Sequence, residues 1–283
     1  MYRPVLPAFI GLMLLHGCAS APKDVAVGIS TQQPMAIIRD ESYARAERYL
    51  DADAVLRVRS LAVPRIRLAE GAVDEDITAE QAELVANRVS REVCLRLAPY
   101  LHVDDEAPDL DIELIVTAIR ATSPLASGIS AGLGVFVPGP FRLPAGLGGF
   151  AADGVARYRG QELLVLRWAE GANAVTDSAK VSTIGDAYQL AAQFAADFSD
   201  HLIGPKDSAA ARRPRLSDTV IQGNNARCHA RFGKASLAGR GASLLLPLAP
   251  EAIDEGAPRP AADDGVGDDQ GTDGQNPGSP QQD

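Results

Sequence analysis

A serine between two glycines is the first group in this chain that invites a reaction. Gly128-Ile129-Ser130-Ala131-Gly132 fits the G-x-S-x-G spacing, in which a sharp strand-to-helix turn exposes a serine hydroxyl as a nucleophile. Asp186 and His201 follow in an order that could supply the carboxylate and the base. The surroundings do not suit the turn. Pro124 separates the motif from the preceding apolar run, and Gly134, Pro138 and Pro140 stand where a helix must begin. A serine hydrolase using Ser130 is therefore the alternative reading, and the main reading has no catalytic residues.

Metal and phosphate chemistry fare no better. His102, His201 and His229 show no ligand spacing, and the three cysteines form no C-x-x-C pair. Asp74-Glu75-Asp76 and Asp104-Asp105-Glu106 read as solvated turns, and the Gly132–Gly134 run lacks a strand–helix frame for phosphate. No metal and no cofactor is implied. Cys94 and Cys228 can pair in an oxidising compartment or serve as two small buried hydrophobes, and the sequence leaves both open.

Cys18 is different because of what precedes it. Arg3 supplies a positive charge, Val5 to Leu15 is almost wholly apolar, and Gly17 is small, which is the pattern of a secretory signal. The apolar run is far below the ~20 residues of a membrane span. Leu15-His16-Gly17-Cys18 resembles the lipobox of bacterial lipoproteins. That resemblance implies cleavage between Gly17 and Cys18, a diacylglyceryl group on the Cys18 sulfur, and a stable bilayer anchor of several acyl chains. Ala19, where an Asp would favour inner-membrane retention, implies the outer membrane.

These residues need elements to hold them. Residues 54–63, AVLRVRSLAV, alternate as a half-buried strand, and so does DLDIELIVTAIRAT from Asp109. GVARYRGQELLVLRW predicts two strands joined at Arg159-Gly160. His102 lies in a short strand candidate, YLHVD. Thr78 followed by Gln81 predicts a capping box that opens a helix with Ala82, Val85, Ala86, Val89, Val93 and Leu97 on its apolar stripe and Arg91 on its surface. A second helix is expected over about 183–203, ending at Gly204-Pro205. Strand, helix, strands, hairpin, helix predicts an α+β fold: a mainly antiparallel sheet of four to five strands with two amphipathic helices on one face.

Charge divides the rest. The chain carries a net charge of −10. Residues 205–250 hold eight Lys/Arg against two Asp, whereas 251–283 hold nine acids against Arg259 alone. The expected organisation is a signal over 1–17, a lipidated cysteine and tether over 18–47, the domain over 48–204, a basic extension over 205–250 and an acidic disordered tail over 251–283. Residues 122–150 hold Gly, Pro and apolar side chains with Arg142 as their single charge. Leu133, Val135, Phe136 and Phe141 in that segment are candidates for contact with a membrane or a partner, or for closing the core.

Three stretches carry a wider resemblance: YLDADAVLRVRSLAVPRIRLAEGAV, ITAEQAELVANRVSREVCLRLAPYLHVDDEAPDLDIELIVTAIRATSP and GGFAADGVARYRGQELL. Over about residues 48–203 they resemble bacterial lipoproteins of domain-of-unknown-function family 3313. Shared features are the lipobox, a strand ending near Val63-Pro64, the amphipathic helix and the Gly-turn hairpin. The resemblance implies no catalytic residue. The expectation is a lipid-anchored protein on the periplasmic face of the outer membrane, binding or scaffolding in envelope assembly or maintenance. Its partners would be an envelope protein, lipopolysaccharide or peptidoglycan, and not nucleic acid. A structural lipoprotein that self-associates through sheet edges is the other non-enzymatic alternative.

Overall fold

Alternating apolar side chains build one mixed sheet with unequal faces. The computed structural model describes residues 20–23, 25–62, 66–104, 106–122, 147–172, 182–204, 213–235 and 249–258. Among them run β1 (Ala36–Asp40), β2 (Ala44–Leu50), α1 (Ala52–Val55), β3 (Ser60–Ala62), β4 (Arg67–Leu68), α2 (Ala79–Leu97) and β5 (His102–Val103). They are followed by β6 (Leu110–Arg120), β7 (Gly149–Tyr158), β8 (Gln161–Gly171), α3 (Gly185–Ile203), α4 (Asp218–Phe232) and α5 (Pro250–Ile253).

The sheet order is β1-β2-β8-β7-β6-β3-β5, with β4 also on β6. Pairing is antiparallel from β1 to β6 and parallel where β3 meets β5 and β6 and where β4 meets β6. The α+β class holds. The sheet is larger than the four to five strands expected, and it is mixed, because two short segments of Ser60–Leu68 lie alongside β6.

β6 shows how the core is selected. Leu110, Ile112, Leu114 and Val116 enter the main core, while Ile115 packs on the opposite face with Ile29, Val155 and Val165. The register with β7 shifts between Val116 and Ala118. One extra residue reverses the alternation, so Ile119 returns to the main core. The β7–β8 hairpin turns at Arg159 (φ 52°) and Gly160 (φ 81°), the two left-handed residues of a turn that matches strand twist.

The helices cover the main-core face. Thr78 and Gln81 form the reciprocal capping box that opens α2. α2 packs along α3, whose Leu190, Phe194, Phe198 and Leu202 are buried over the sheet. Phe194 contacts Phe150, Trp168 and Phe198, with ring centroids 6.1–6.3 Å apart.

Three expectations are corrected. The strand read over residues 54–63 shrinks to Ser60–Ala62, because Asp51 accepts a hydrogen bond from the Ala54 amide (2.9 Å) and caps a helical turn before it. The tether over 18–47 is largely structure. Residues 25–35 lie across the second sheet face, and 36–50 supply two strands. The basic extension and the start of the acidic tail also fold. Cys228 and Phe232 of α4 are fully buried, and Asp254 is 4% exposed. Arg213 clips this extension to the domain by donating to the carbonyls of Leu202 (2.8 Å), Val58 (2.7 Å) and Val55. Burial, with Arg59 nearby, pushes its guanidinium down to about 10. Cys94 of α2 and Cys228 of α4 form a disulfide, their Cα atoms 5.8 Å apart.

Candidate functional site

One end of the sheet gathers the chain's unusual segments. Ser20 lies there, because the Ala21 amide donates to the carbonyl of Ser42 in the β1–β2 turn (3.0 Å) and Arg45 donates to the carbonyl of Pro22 (3.0 Å). β6 leaves the sheet at this end through Ala121 and Thr122, and β7 enters it through Leu147 and Gly148. Pro22 packs against Gly149, where an added Cβ would meet Pro22 Cγ at 3.2 Å. The described residues that flank the apolar segment 123–146 and the start of the described chain are therefore neighbours. Gly17, Cys18, Ser130, Leu133, Val135, Phe136 and Phe141 lie outside the described residues.

Asp186 pins this end together. At the start of α3 its carboxylate accepts from the Thr122 hydroxyl and from the Gly148 amide, both at 3.0 Å. It thus holds the two strand ends that flank residues 123–146. His201 sits fifteen residues further along the same helix, ~22 Å away at 1.5 Å per residue. There its Nδ1 faces Arg48 at 3.1 Å, and burial together with that guanidinium pulls its pKa down to about 4. Asp186 and His201 do not form an acid–base pair, so the triad suggested by their order does not assemble. Asp186 is a structural carboxylate, and the distance along one helix separates it from the histidine.

From Ser20 the chain runs as a strap over the second sheet face. Ala26 donates to the carbonyl of Thr117 (2.8 Å), Ile29 donates to Asp153 Oδ2 (2.9 Å), and Thr31 reaches Glu162 at the far end (2.6 Å). Asp153 is a charged residue in the middle of β7 and is 8% exposed. Burial drives its pKa up, against the Ile29 amide and Arg167, which act in the other direction. Gly28 lies so close that a Cβ would sit 1.9 Å from Asp153 Oδ2. Arg45, Glu47, Thr117, Asp153 and Arg167 line a groove of about 530 Å³ between strap and sheet. Val27 points outward and is 92% exposed.

A second polar cluster lies on the helical side. Arg91 of α2 is fully buried and donates through both terminal nitrogens to Asp254, one contact at 2.8 Å. The Tyr188 hydroxyl of α3 donates to the same carboxylate. Burial favours neutral Asp254, but Arg91 and Tyr188 outweigh it and hold its pKa below the usual carboxylate range. Burial likewise opposes the charge on Arg91, and Asp254 reverses the balance and raises its pKa. Arg88 stacks over the Tyr188 ring at 4.3 Å.

The surface position assigned to Arg91 from the α2 stripe is corrected: α3 and Asp254 close over it. No local pattern reveals this, since the partner lies 163 residues away. Asp153 did carry a signal, as a lone charge within FAADGVA. No grouping of three or more His, Cys, Asp or Glu that could hold a metal occurs among the described residues. Among the same residues no helix is long and apolar enough to cross a membrane.

No family model matches the chain, and no curated protein matches it. Two solved structures are similar in part, both PelC dodecamers from Paraburkholderia phytofirmans, one of them a point variant in space group C2 and the other in space group P6. They share 6% and 7% identity with this chain, at a TM-score of 0.32, over 56% of this chain and 96% of theirs.

Proposed function

We propose that this chain is a lipoprotein of the outer membrane, anchored through Cys18 with its α+β domain on the periplasmic face, where it binds or scaffolds envelope components without catalysis. The observation that carries this reading is a juxtaposition. Ser20, two residues after Cys18, lies at the sheet end from which residues 123–146 depart. An acyl chain at Cys18 would bring that end to the bilayer, and with it an apolar segment whose one charge is Arg142.

Two further features favour the reading. The Cys94–Cys228 disulfide fits an oxidising compartment such as the periplasm. Splitting Asp186 from His201 removes the stated basis for a Ser130 hydrolase. Family 3313 remains the proposed relationship, resting on the residues quoted above. The partner class remains an envelope protein, lipopolysaccharide or peptidoglycan. The test is metabolic labelling with radioactive palmitate. The chain takes up label and fractionates with outer membrane, whereas Cys18→Ala takes up none and is released. Unlabelled wild-type protein, or a Cys18→Ala variant with unchanged fractionation, removes the reading.

A further inference from the structure

The last described segment is bound to the helices as a ligand is. Across residues 249–258 only Pro250 and Asp254 are buried, and Glu251 and Ala252 are exposed. So little apolar area holds it weakly. Two carboxylates, three residues apart, do most of the holding. Glu251 accepts from Gln81 Nε2 (2.7 Å) and from the Ser182 hydroxyl (2.8 and 2.9 Å). Asp254 accepts from Arg91, Tyr188 and the Gly256 amide (3.0 Å). All the side chains on the receiving side belong to α2, to α3 or to the turn before α3.

The seat demands an occupant of this chemistry. Without the segment, Arg91 would be a buried charge with no carboxylate, an arrangement proteins strongly disfavour. The guanidinium fork fixes the geometry of one carboxylate. Gln81 and Ser182 place donors for a second carboxylate one helical turn earlier. The recognised unit is Glu-x-x-Asp on a single turn. Residues 236–248 lie between α4 and this segment, and Ala235, just before them, forms an isolated antiparallel bridge with Asp254.

We infer that this seat exchanges its occupant between copies, so that Pro250–Gly256 of a second copy replaces the chain's own. Every copy carries one seat and one segment, and a reciprocal exchange closes a two-fold pair. The contacts are the same in both forms, so protein concentration competes with the effective concentration that the thirteen-residue connection imposes. Fully extended, that connection reaches ~45 Å, enough to engage a neighbour. The inference holds with or without the lipid anchor.

Cysteine trapping tests it in the full-length chain. Gln81 and Glu251 touch at the rim of the seat, away from the buried native disulfide. In the double variant Gln81→Cys, Glu251→Cys, mild oxidation gives covalent monomer at low concentration and a rising share of covalent dimer as concentration increases. Mixing a tagged Gln81→Cys chain with an untagged Glu251→Cys chain gives a mixed disulfide dimer. Its yield rises about fivefold when the Gln81→Cys chain also carries Asp254→Asn, which loosens that chain's own segment. Covalent monomer at every concentration, with no mixed dimer, overturns exchange. Absence of any new disulfide overturns the seat itself.

Discussion

His201 shows how far burial can move a side chain from the role its type suggests. An unfolded imidazole takes a proton near 6.5, whereas the folded one does so only near 4. Between those values the unfolded chain binds more protons, so His201 contributes stability above pH 6.5 that is lost as the pH falls towards 4. The loss is about 3 kcal/mol at most. His201→Gln, which keeps an acceptor for Arg48, should flatten that part of the profile, as read from urea unfolding at pH 7 and pH 4.5. Asp254 acts in the same direction at lower pH. Its depressed pKa gives stability above the unfolded carboxylate value that vanishes as the pH drops through the folded one. Asp153 has the opposite sign, since its raised pKa makes its ionisation a cost at neutral pH. At this scale the sequence reveals residue type and little else. It shows a histidine on a helix, but not the Arg48 placed 153 residues away that faces it.

At the scale of elements, legibility follows the range of the contacts. The α2 cap, the Arg159-Gly160 hairpin and the α3 stripe are set by neighbours within a few residues, and each is readable. β4 and the strap are set by strands far away, and their local patterns are weak. The described residues of 20–35 bury little beyond Ala21, Pro22 and Ile29, and their amides donate to Ser42 in the β1–β2 turn (Ala21), to Thr117 of β6 (Ala26) and to Asp153 of β7 (Ile29). Two substitutions test these long-range attachments. Gly28→Ala thrusts a methyl group at Asp153 Oδ2, so the strap must shift; about 1–3 kcal/mol of stability is lost, and hydrogen exchange rises over residues 21–33. Cys94→Ser with Cys228→Ser opens a link across 134 residues, with a loss of about 2–5 kcal/mol in denaturant unfolding and early exchange in α4.

At the scale of the whole molecule, the fold has a helical side closed by α2, α3 and α4 and an opposite side closed by the strap. Residues 205–258 looked like a charged appendage because basic and acidic composition usually marks solvated chain. In the structure two of those charges are used inwardly, Arg213 on three carbonyls and Asp254 on Arg91. Composition cannot distinguish a solvated charge from a paired one. The apolar segment can be probed by replacing Leu133, Val135 and Phe136 together with Ser. If the segment meets a bilayer, flotation with outer-membrane vesicles weakens while the unfolding midpoint holds within a degree or two. A fall in that midpoint of several degrees would instead make the segment part of the core.

The strap also stores slack. It leaves the end of the sheet where Ser20 lies, travels to the opposite end and returns as β1, so while seated its contour adds nothing to the reach of the chain that precedes it. Sixteen residues drawn straight span more than about 50 Å. Were Cys18 acylated as proposed, peeling residues 20–35 from the sheet would convert a domain held near its anchor into one on a long leash, without any change in α2, α3 or the core they close.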